Sequence, residues 1–144
     1  MEIVILKTVD LDVVASFQNL LPQLDTNSRF ITKEILEQII QSENTTLLIA
    51  KDHLGKIIGT LSLVSYCIPT GNKYWIEDVV VDNNYRGQGI GKQLLENALE
   101  LARKKGALKI DLTSNAKRLE AHQLYKKVGF IQRQTSVFRN LISK

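Results

Sequence analysis

Apolar and polar positions along the chain follow two periods, one typical of strands and one typical of amphipathic helices. Short apolar runs predict strands at residues 2–6, 46–50, 56–66 and 73–82. A turn ending in Gly55 joins the second and third of these strands. Asp10 is expected to cap a helix that runs to about Leu21 and stops at Pro22, and Thr32 is expected to begin another.

The second half of the chain predicts a strand–helix alternation. A glycine-rich turn follows residues 73–82 directly and opens a helix expected from about Gly89 to Lys105, which Gly106 closes. The remaining expected elements are a strand at residues 107–114, a helix at residues 117–128 and a final strand or bent strand pair at residues 130–139. This order predicts one α/β domain, residues 1–144, in which helices cover both faces of a mixed sheet of six to seven strands.

Composition places the chain among ordinary globular proteins, with 44% hydrophobic and 24% charged residues in a length of 144. No apolar run approaches the roughly 20 residues of a membrane helix, and the start does not resemble a signal peptide. We therefore expect no membrane partner and a cytoplasmic location. Cys67 is the only cysteine, which excludes an internal disulfide and a cysteine-based zinc site. No metal is expected.

The net charge of +4 permits an anionic ligand, but the basic residues are scattered. They cluster only at residues 103–106 and 125–130, near predicted helix ends, where cations suit the helix dipole. The sequence has no recognition-helix or RNA-binding motif, so a nucleic-acid partner is not expected.

The glycine-rich turn has the sequence RGQGIG at residues 86–91, and three phosphate-binding patterns can be tested on it. In the P-loop pattern, Gly91 and Lys92 match the end, but Arg86 replaces the required first glycine and Gln93 the required hydroxyl. The dinucleotide fingerprint needs a third glycine three positions after the second, where this chain has lysine or leucine. The third pattern, Arg/Gln-x-x-Gly-x-Gly/Ala, fits.

In that pattern the turn resembles the pyrophosphate-binding motif of the GNAT superfamily of acyl-CoA N-acyltransferases. The longer run WIEDVVVDNNYRGQGIG, residues 75–91, resembles the superfamily's central strand and loop, and HQLYKKVGF, residues 122–130, resembles its later helix. These motifs cover about the second half of the chain, while the first half agrees in pattern only. The resemblance implies a GNAT fold whose sheet is splayed at the central strand.

The resemblance also implies acetyl-CoA as co-substrate, held mainly by backbone groups and without a metal. Backbone N–H groups after Arg86 can turn toward one diphosphate, because glycines allow close approach and a helix start attracts anions. The residues assigned to this contact are Arg86, Gly87, Gln88, Gly89, Ile90, Gly91 and Lys92. The alternative is a tight turn without a ligand.

Further cofactor contacts follow from the same resemblance. The backbones of Val79, Val80 and Val81 pair with the pantetheine arm and polarise the thioester carbonyl, while their side chains belong to the core. Arg118 stands where many members have an asparagine that contacts this arm, so it is assigned to the cofactor or to an acidic acceptor. Asn115 is expected to cap the helix instead.

The implied reaction is direct acetyl transfer to a primary amine. Tyr125 matches the superfamily's usual general acid, because a phenol stays protonated at neutral pH and can donate to a thiolate. Glu77 is the candidate base, since WIEDVVV resembles a strand of glucosamine-6-phosphate N-acetyltransferases whose acidic residue faces the acceptor. Glu77 and Asp78 would point to opposite faces of a regular strand unless a bulge intervenes. The alternatives are an ordered water as base and a packing role for Tyr125.

The resemblance implies that the first two helices and the loop at residues 20–30 form the acceptor pocket. Its candidate lining residues are Arg29, Tyr66, Trp75 and Phe138. A small-molecule amine is the preferred acceptor, with a protein N-terminus or lysine as the alternative. A longer acyl donor such as succinyl-CoA and a non-catalytic CoA-binding sensor also stay open, and the resemblance makes a homodimer an expected assembly.

Overall fold

The structure is a computed structural model that describes residues 1–143. The strands are β1 (Glu2–Ile5), β2 (Thr45–Lys51), β3 (Ile57–Ile68), β4 (Gly71–Val81) and β5 (Asp111–Leu112). The helices are α1 (Leu11–Leu24), α2 (Lys33–Gln41), α3 (Ile90–Lys104) and α4 (Leu119–Val128), with a short 3₁₀ turn at Asn83–Tyr85. The alternation of strands and helices confirms the predicted α/β class.

The five strands form one mixed sheet in the order β1-β2-β3-β4-β5. The first four are antiparallel to their neighbours, and β5 runs parallel to β4. The prediction of six to seven strands is wrong for the described residues. Residues 130–139 form no strand, and the strand predicted at residues 107–114 contracts to two residues. A strand requires a hydrogen-bonding neighbour, and residues 131–143 are all exposed instead of paired.

Helices cover both faces of the sheet, as predicted. One core lies under α1 and α2, and its buried residues include Phe17, Leu20, Leu36, Leu47, Ile49 and Val80. The other lies under α3 and α4, and its buried residues include Leu48, Leu61, Ile76, Leu94, Leu95 and Tyr125. We call these two sides of the sheet the α1–α2 face and the α3–α4 face.

The predicted helix starts are set by side-chain caps. The Asp10 carboxylate accepts the N–H of Val13 at 2.9 Å, and the Thr32 hydroxyl accepts the N–H of Ile35 at 3.3 Å. Each bond satisfies one of the N–H groups that a helix start leaves without an intrahelical acceptor. These local contacts explain why both starts could be read from the sequence.

Pro22 does not stop α1 as predicted, because the helix continues to Leu24. A proline lacks its own N–H, but residues after it can still bond backward. The N–H of Asp25 donates to the carbonyl of Leu21 at 3.0 Å, which completes the last turn.

No helix within residues 1–143 has the length and apolar character needed to cross a bilayer.

Candidate functional site

The strands β4 and β5 pair at only two positions. Trp75 lies opposite Asp111 and Ile76 opposite Leu112, whereas β4 continues to Val81. Residues 77–81 therefore have no strand neighbour on this side within the described chain, and we call them the free β4 edge. Their backbone groups can pair with an extended ligand in the way that an added strand would.

A β-bulge begins the free β4 edge. Ser62 of β3 pairs with Glu77 and Thr60 pairs with Val80, so one β3 residue faces two residues of β4, Asp78 and Val79. Asp78 has φ +51°, the only positive φ of a non-glycine residue among residues 1–143. An aspartate tolerates this left-handed conformation better than most residues, although some strain is stored.

The bulge changes which face each later side chain meets. Ile76, Val79 and Val81 all contribute to the core of the α3–α4 face, which regular alternation from Ile76 would not allow. Directly paired side chains share a face, so Glu77 lies on the side of Ser62, which lines a cavity on the α1–α2 face. Asp78 lines the same cavity, so the two carboxylates are not on opposite faces.

The electrostatics of this pair follow from their proximity. Partial burial raises the pKa of Glu77 above its usual range, and the neighbouring negative charge of Asp78 raises this pKa further. Both effects disfavour the charged form. The Glu77 carboxylate therefore holds a proton more strongly than an ordinary surface glutamate does, which suits a proton acceptor.

The cavity beside Asp78 has a volume of about 260 Å³ and lies between α1, α2 and the sheet. Its polar lining consists of Asp25, Ser28, Arg29, Thr60, Ser62 and Asp78. Apolar side chains of the α1–α2 core, including Phe17 and Leu36, complete its wall. The space is suited to a small polar molecule, with Arg29 as the lining cation.

The glycine turn leads from β4 into α3. Gly87 and Gly89 both have φ +79°, and no atom lies within 4 Å of the position that a Cβ would take at either residue. Gly89 is the N-cap of α3, and no side chain caps the helix start. The first N–H groups of α3 are therefore free to bind an anion.

Two contacts attach this turn to the rest of the site. Arg86 donates from Nε to the carbonyl of Val81, at 3.2 Å, which fixes the turn to the free β4 edge. A Cβ at Gly91 would lie 3.1 Å from Leu124 Cδ2 and 3.8 Å from Val81 Cγ2. The lack of a side chain at Gly91 thus allows α4 to approach both the turn and the end of β4.

Tyr125 lies on α4, next to that contact. Its side chain is buried, and its ring meets Phe130 edge to face with centroids 6.1 Å apart. The Tyr125 hydroxyl makes no hydrogen bond to another described residue, although the ring is part of the α3–α4 core. The ring is positioned by packing, and its hydroxyl is available to a ligand.

Comparison with known proteins decides the family. The sequence model described as "Acetyltransferase (GNAT) family" matches residues 14–130. The chain belongs to the GNAT acetyltransferase family. This confirms the resemblance that was drawn from the glycine turn and the α4 signature.

Individual relatives agree with this assignment. The chain is 42% identical over 79 residues to a glucosamine 6-phosphate N-acetyltransferase of Trypanosoma brucei brucei, covering 53% of this chain and 52% of the relative. It is 39% identical over 82 residues to an aminoalkylphosphonate N-acetyltransferase of Salmonella typhimurium, covering 54% and 52%. The matches thus span about half the length of these two relatives. The crystal structure of glucosamine-6-phosphate N-acetyltransferase from Arabidopsis thaliana has a TM-score of 0.79 and 25% identity, covering 97% of this chain and 99% of that structure.

The remaining residues that were predicted to bind the cofactor differ in how far the GNAT fold exposes them. Ile90 and Val80 are buried, so only their backbone groups can reach a ligand, and Val79 and Val81 are partly buried. The Lys92 ammonium lies 3.9 Å from Glu96 on the exposed surface of α3, and Gln88 is exposed. Among residues 1–143, no group of three histidine, cysteine or acidic side chains could hold a metal.

The predicted cap at Asn115 is wrong, because α4 begins at Leu119 with Arg118 in the N-cap position. The Asn115 side chain accepts the N–H of Lys117 at 2.9 Å, in a turn that precedes the helix. The backbone carbonyl oxygen of Asn115 lies 3.0 Å from Nε2 of His122. Arg118 is exposed at the start of α4.

Only one of the predicted acceptor residues, Arg29, lines the cavity of this GNAT chain. Trp75 donates from its indole nitrogen to the Tyr66 hydroxyl at 3.0 Å, and neither residue is part of the cavity lining. Phe138 is 93% exposed on the segment after α4. These residues have partners or positions that depend on long-range packing, which the sequence pattern does not reveal.

Sequence reasoning missed Asp82, which joins the glycine turn to α1. Its buried carboxylate accepts from Asn19 Nδ2 at 3.1 Å and from the backbone N–H of Asn84 at 3.0 Å. The Asp-Asn-Asn order is typical of a side-chain-stabilised turn and could have indicated the second bond. The bond to Asn19 depends on tertiary packing.

The raised pKa of Glu77 predicts a stability cost at neutral pH. A carboxyl whose pKa is higher in the folded state favours folding below its unfolded pKa, and this contribution is lost as pH rises through the folded pKa. Glu77→Gln should therefore unfold at a higher temperature than the wild type at about pH 7, and the gain should vanish near pH 4. Glu43→Gln, at an exposed loop position, is the matched control. Identical pH dependences of the melting temperature for Glu77→Gln and the wild type would contradict this account.

Proposed function

We propose that the chain is an acetyl-CoA-dependent N-acetyltransferase that transfers acetyl directly to the primary amine of a small molecule. The observation that carries the proposal is the convergence of three features at the end of β4. The free β4 edge, the uncapped start of α3 and the Tyr125 helix meet there, held by Arg86 and by the close approach at Gly91. Family membership makes acyl transfer the expected chemistry.

Acetyl-CoA binding is assigned to the backbone of the turn and of β4. The N–H groups of residues 87–92 hold the diphosphate, because the space beside Gly87 and Gly89 is open and the start of α3 has no side-chain cap. The exposed side chains of Lys92 and Arg118 supply positive charge to the remaining phosphate oxygens. No metal is required for this contact.

The pantetheine arm is assigned to the free β4 edge. Backbone groups of residues 79–81 on the free β4 edge, other than the Val81 carbonyl that accepts from Arg86, form strand-like hydrogen bonds with its amides, and one N–H polarises the thioester carbonyl. Bound acetyl-CoA supplies an activated acetyl group. The residues of the chain then position the amine, remove a proton from it and donate a proton to the departing thiolate.

Glu77 manages the first proton. The ammonium must lose one proton before its nitrogen can attack, and Glu77 accepts this proton directly or through an ordered water. The raised pKa of Glu77 makes it a better acceptor than an ordinary glutamate. The nitrogen loses another proton once its bond to the acetyl carbon has formed and the carbon–sulfur bond has broken, and this proton, passed through solvent, restores the Tyr125 hydroxyl. Asp78, which lines the cavity on the same face of the sheet, holds the amine as an ammonium before the first proton leaves.

Tyr125 manages the second proton by donating it from its hydroxyl to the departing thiolate. It belongs to the α3–α4 face, whereas Glu77 lies on the α1–α2 face. The free β4 edge separates the two faces, so acid and base approach the reacting thioester from opposite sides. This separation keeps the proton that is removed from the amine distinct from the one that is delivered.

The acceptor proposed for the cavity is a small amine that also carries an anionic group. Arg29 is the basic residue of the lining, and Asp25 and Asp78 are its acidic residues, so the two kinds of charge suit an anion and an ammonium in one molecule. Two relatives are named for amines of this kind, glucosamine 6-phosphate and aminoalkylphosphonate. A cavity of about 260 Å³ also fits a small acceptor better than a protein chain.

The proposed reaction predicts release of free thiol from acetyl-CoA when a suitable amine is present. A panel of sugar amines, aminoalkylphosphonates, polyamines and lysine peptides should contain at least one acceptor. Tyr125→Phe should lower kcat by about 10²–10⁴-fold, because the thiolate loses its proton donor. Tyr74→Phe is the matched control, as it removes the hydroxyl of another buried tyrosine of the same core. Thiol release measured over time provides both rates.

Three results of that assay would change the assignment. Undiminished turnover by Tyr125→Phe would remove the acid role and leave Tyr125 as a packing residue. If no amine of the panel causes thiol release although the chain binds CoA, the result would favour a CoA-binding sensor. Faster transfer from succinyl-CoA than from acetyl-CoA would make succinyl-CoA the assigned acyl donor.

The assigned role of Arg29 predicts a selective loss of affinity. Arg29→Ala should raise KM for glucosamine 6-phosphate by about 10- to 100-fold, because a charge-assisted hydrogen bond is lost. KM for unphosphorylated glucosamine should stay unchanged. Lys33→Ala, which removes a nearby cation outside the cavity lining, is the control. An equal rise in KM for both sugars would contradict recognition of the phosphate by Arg29.

A further inference from the structure

Two side-chain amides of α1 bond the segment that leads from β4 into the glycine turn. Asn19 donates from Nδ2 to Asp82 Oδ2 at 3.1 Å. Gln23 accepts the backbone N–H of Asn83 on Oε1 at 2.8 Å. Gln23 also donates from Nε2 to the backbone carbonyl of Asn19 at 3.1 Å, and this bond within α1 fixes the orientation in which its oxygen meets the N–H.

Asp82 passes these contacts on to the glycine turn. Its carboxylate is 2% exposed, and Asn19 is one of the two donors that residues 1–143 offer it. The other donor is the backbone N–H of Asn84, and the Asp82 carbonyl accepts the N–H of Tyr85 at 2.8 Å. Arg86, which bonds the end of β4, follows directly. A buried carboxylate needs its donors, so the position of α1 affects how this whole turn is held.

The same helix forms a wall of the acceptor cavity on its other side. Phe17, Leu21 and Leu24 line the cavity. Asn19 and Gln23 each stand two positions from Leu21, and two residues advance an α-helix by about 200°. The two amides therefore lie on the opposite side of α1 from Leu21. The helix has the acceptor cavity on one side and the approach to the glycine turn on the other.

The polar lining of the cavity also depends on where α1 lies. Asp25 caps the end of the helix, and its carbonyl accepts the N–H of Ser28 at 3.0 Å. Gln18 of α1 donates from Nε2 to the Ile31 carbonyl at 3.0 Å, which ties the far end of the loop to the same helix. Arg29 lies between these two attachments. A displacement of α1 would therefore carry Arg29 with it.

We propose that Asn19 and Gln23 are positioning residues that hold the glycine turn at a fixed place relative to the acceptor cavity. Acetyl-CoA bound at the turn fixes residues 82 and 83, and the two amides transfer this restraint to α1 and its cavity wall. The cofactor and the amine then strengthen each other's binding by the same factor, as thermodynamic linkage requires. This role rests on the proposed acetyl-CoA and amine sites.

Binding of coenzyme A to Asn19→Asp, measured by calorimetry, tests the contact with the turn. The change places a second carboxylate against Asp82, so affinity should fall roughly 10-fold or more. Adding Asp82→Asn should restore most of the affinity, because the new amide donates to the new carboxylate. Asn72→Asp, an exposed position at the other end of β4, should bind coenzyme A as the wild type does. A merely structural role would lower the melting temperature of Asn19→Asp and leave the affinity of the folded chain unchanged.

The coupling is measured as the ratio of glucosamine 6-phosphate affinities with and without saturating coenzyme A. The wild type should bind the sugar at least about fivefold more tightly with coenzyme A present. Asn19→Asp should bring the ratio close to one, and the added Asp82→Asn should restore it. Gln23→Leu removes the acceptor of the Asn83 N–H without adding charge, and it should lower both the ratio and the affinity for coenzyme A. It provides the same test if Asn19→Asp does not fold.

Four outcomes decide between the claims. Wild-type affinity for coenzyme A in folded Asn19→Asp and Gln23→Leu would overturn the positioning role. A wild-type ratio near one, or a ratio that the variants leave unchanged, would overturn the coupling. If glucosamine 6-phosphate does not bind, the proposed acceptor is wrong, and the affinities for coenzyme A alone decide the positioning role. No binding of coenzyme A by the wild type would contradict the proposed function itself.

Discussion

The uncapped start of α3 is the constraint around which the site is arranged. A helix of fifteen residues begins after Gly89 with no side chain to satisfy its first N–H groups. Such a group of free donors attracts an anion through both hydrogen bonds and the helix dipole. The neighbouring contacts keep this start in place: Arg86 bonds the end of β4, and the buried Asp82 bonds Asn19 of α1. These contacts attach the proposed diphosphate site to β4 and α1 without a ligand.

The bulge in β4 connects that anion site with the chemistry. It places Glu77 on the α1–α2 face and Asp78 in the cavity lining on that face, while Val79 and Val81 return to the α3–α4 core. A non-glycine residue in the left-handed region costs of order 1–3 kcal/mol, and the surrounding β3 pairing holds Asp78 there. Strain of this kind often accompanies a functional site, where the altered side-chain direction has a use. The raised pKa of Glu77 is a second local cost at the same place.

The sequence predicted those features that short-range chemistry determines. Each of these features depends on only a few neighbouring residues. They are the glycines with left-handed φ, the caps at Asp10 and Thr32, and the family motifs around Arg86 and Tyr125. The sequence left the bulge as an alternative to a regular strand, because a bulge is defined by the register between β3 and β4. Its consequence, the shared face of the two carboxylates, was therefore left open as well. The strand count failed because residues 130–139 have strand-like composition but no strand neighbour in the described chain.

Calorimetric titration with coenzyme A and with pantetheine most directly tests the claim that backbone amides at the α3 start hold a diphosphate. With metal removed by chelation, one molecule of coenzyme A per chain should bind with measurable heat. Pantetheine, which lacks the diphosphate, should bind roughly 100-fold or more weakly, because several charge-assisted hydrogen bonds are lost. No heat with coenzyme A, or equal affinity for both compounds, would contradict the claim.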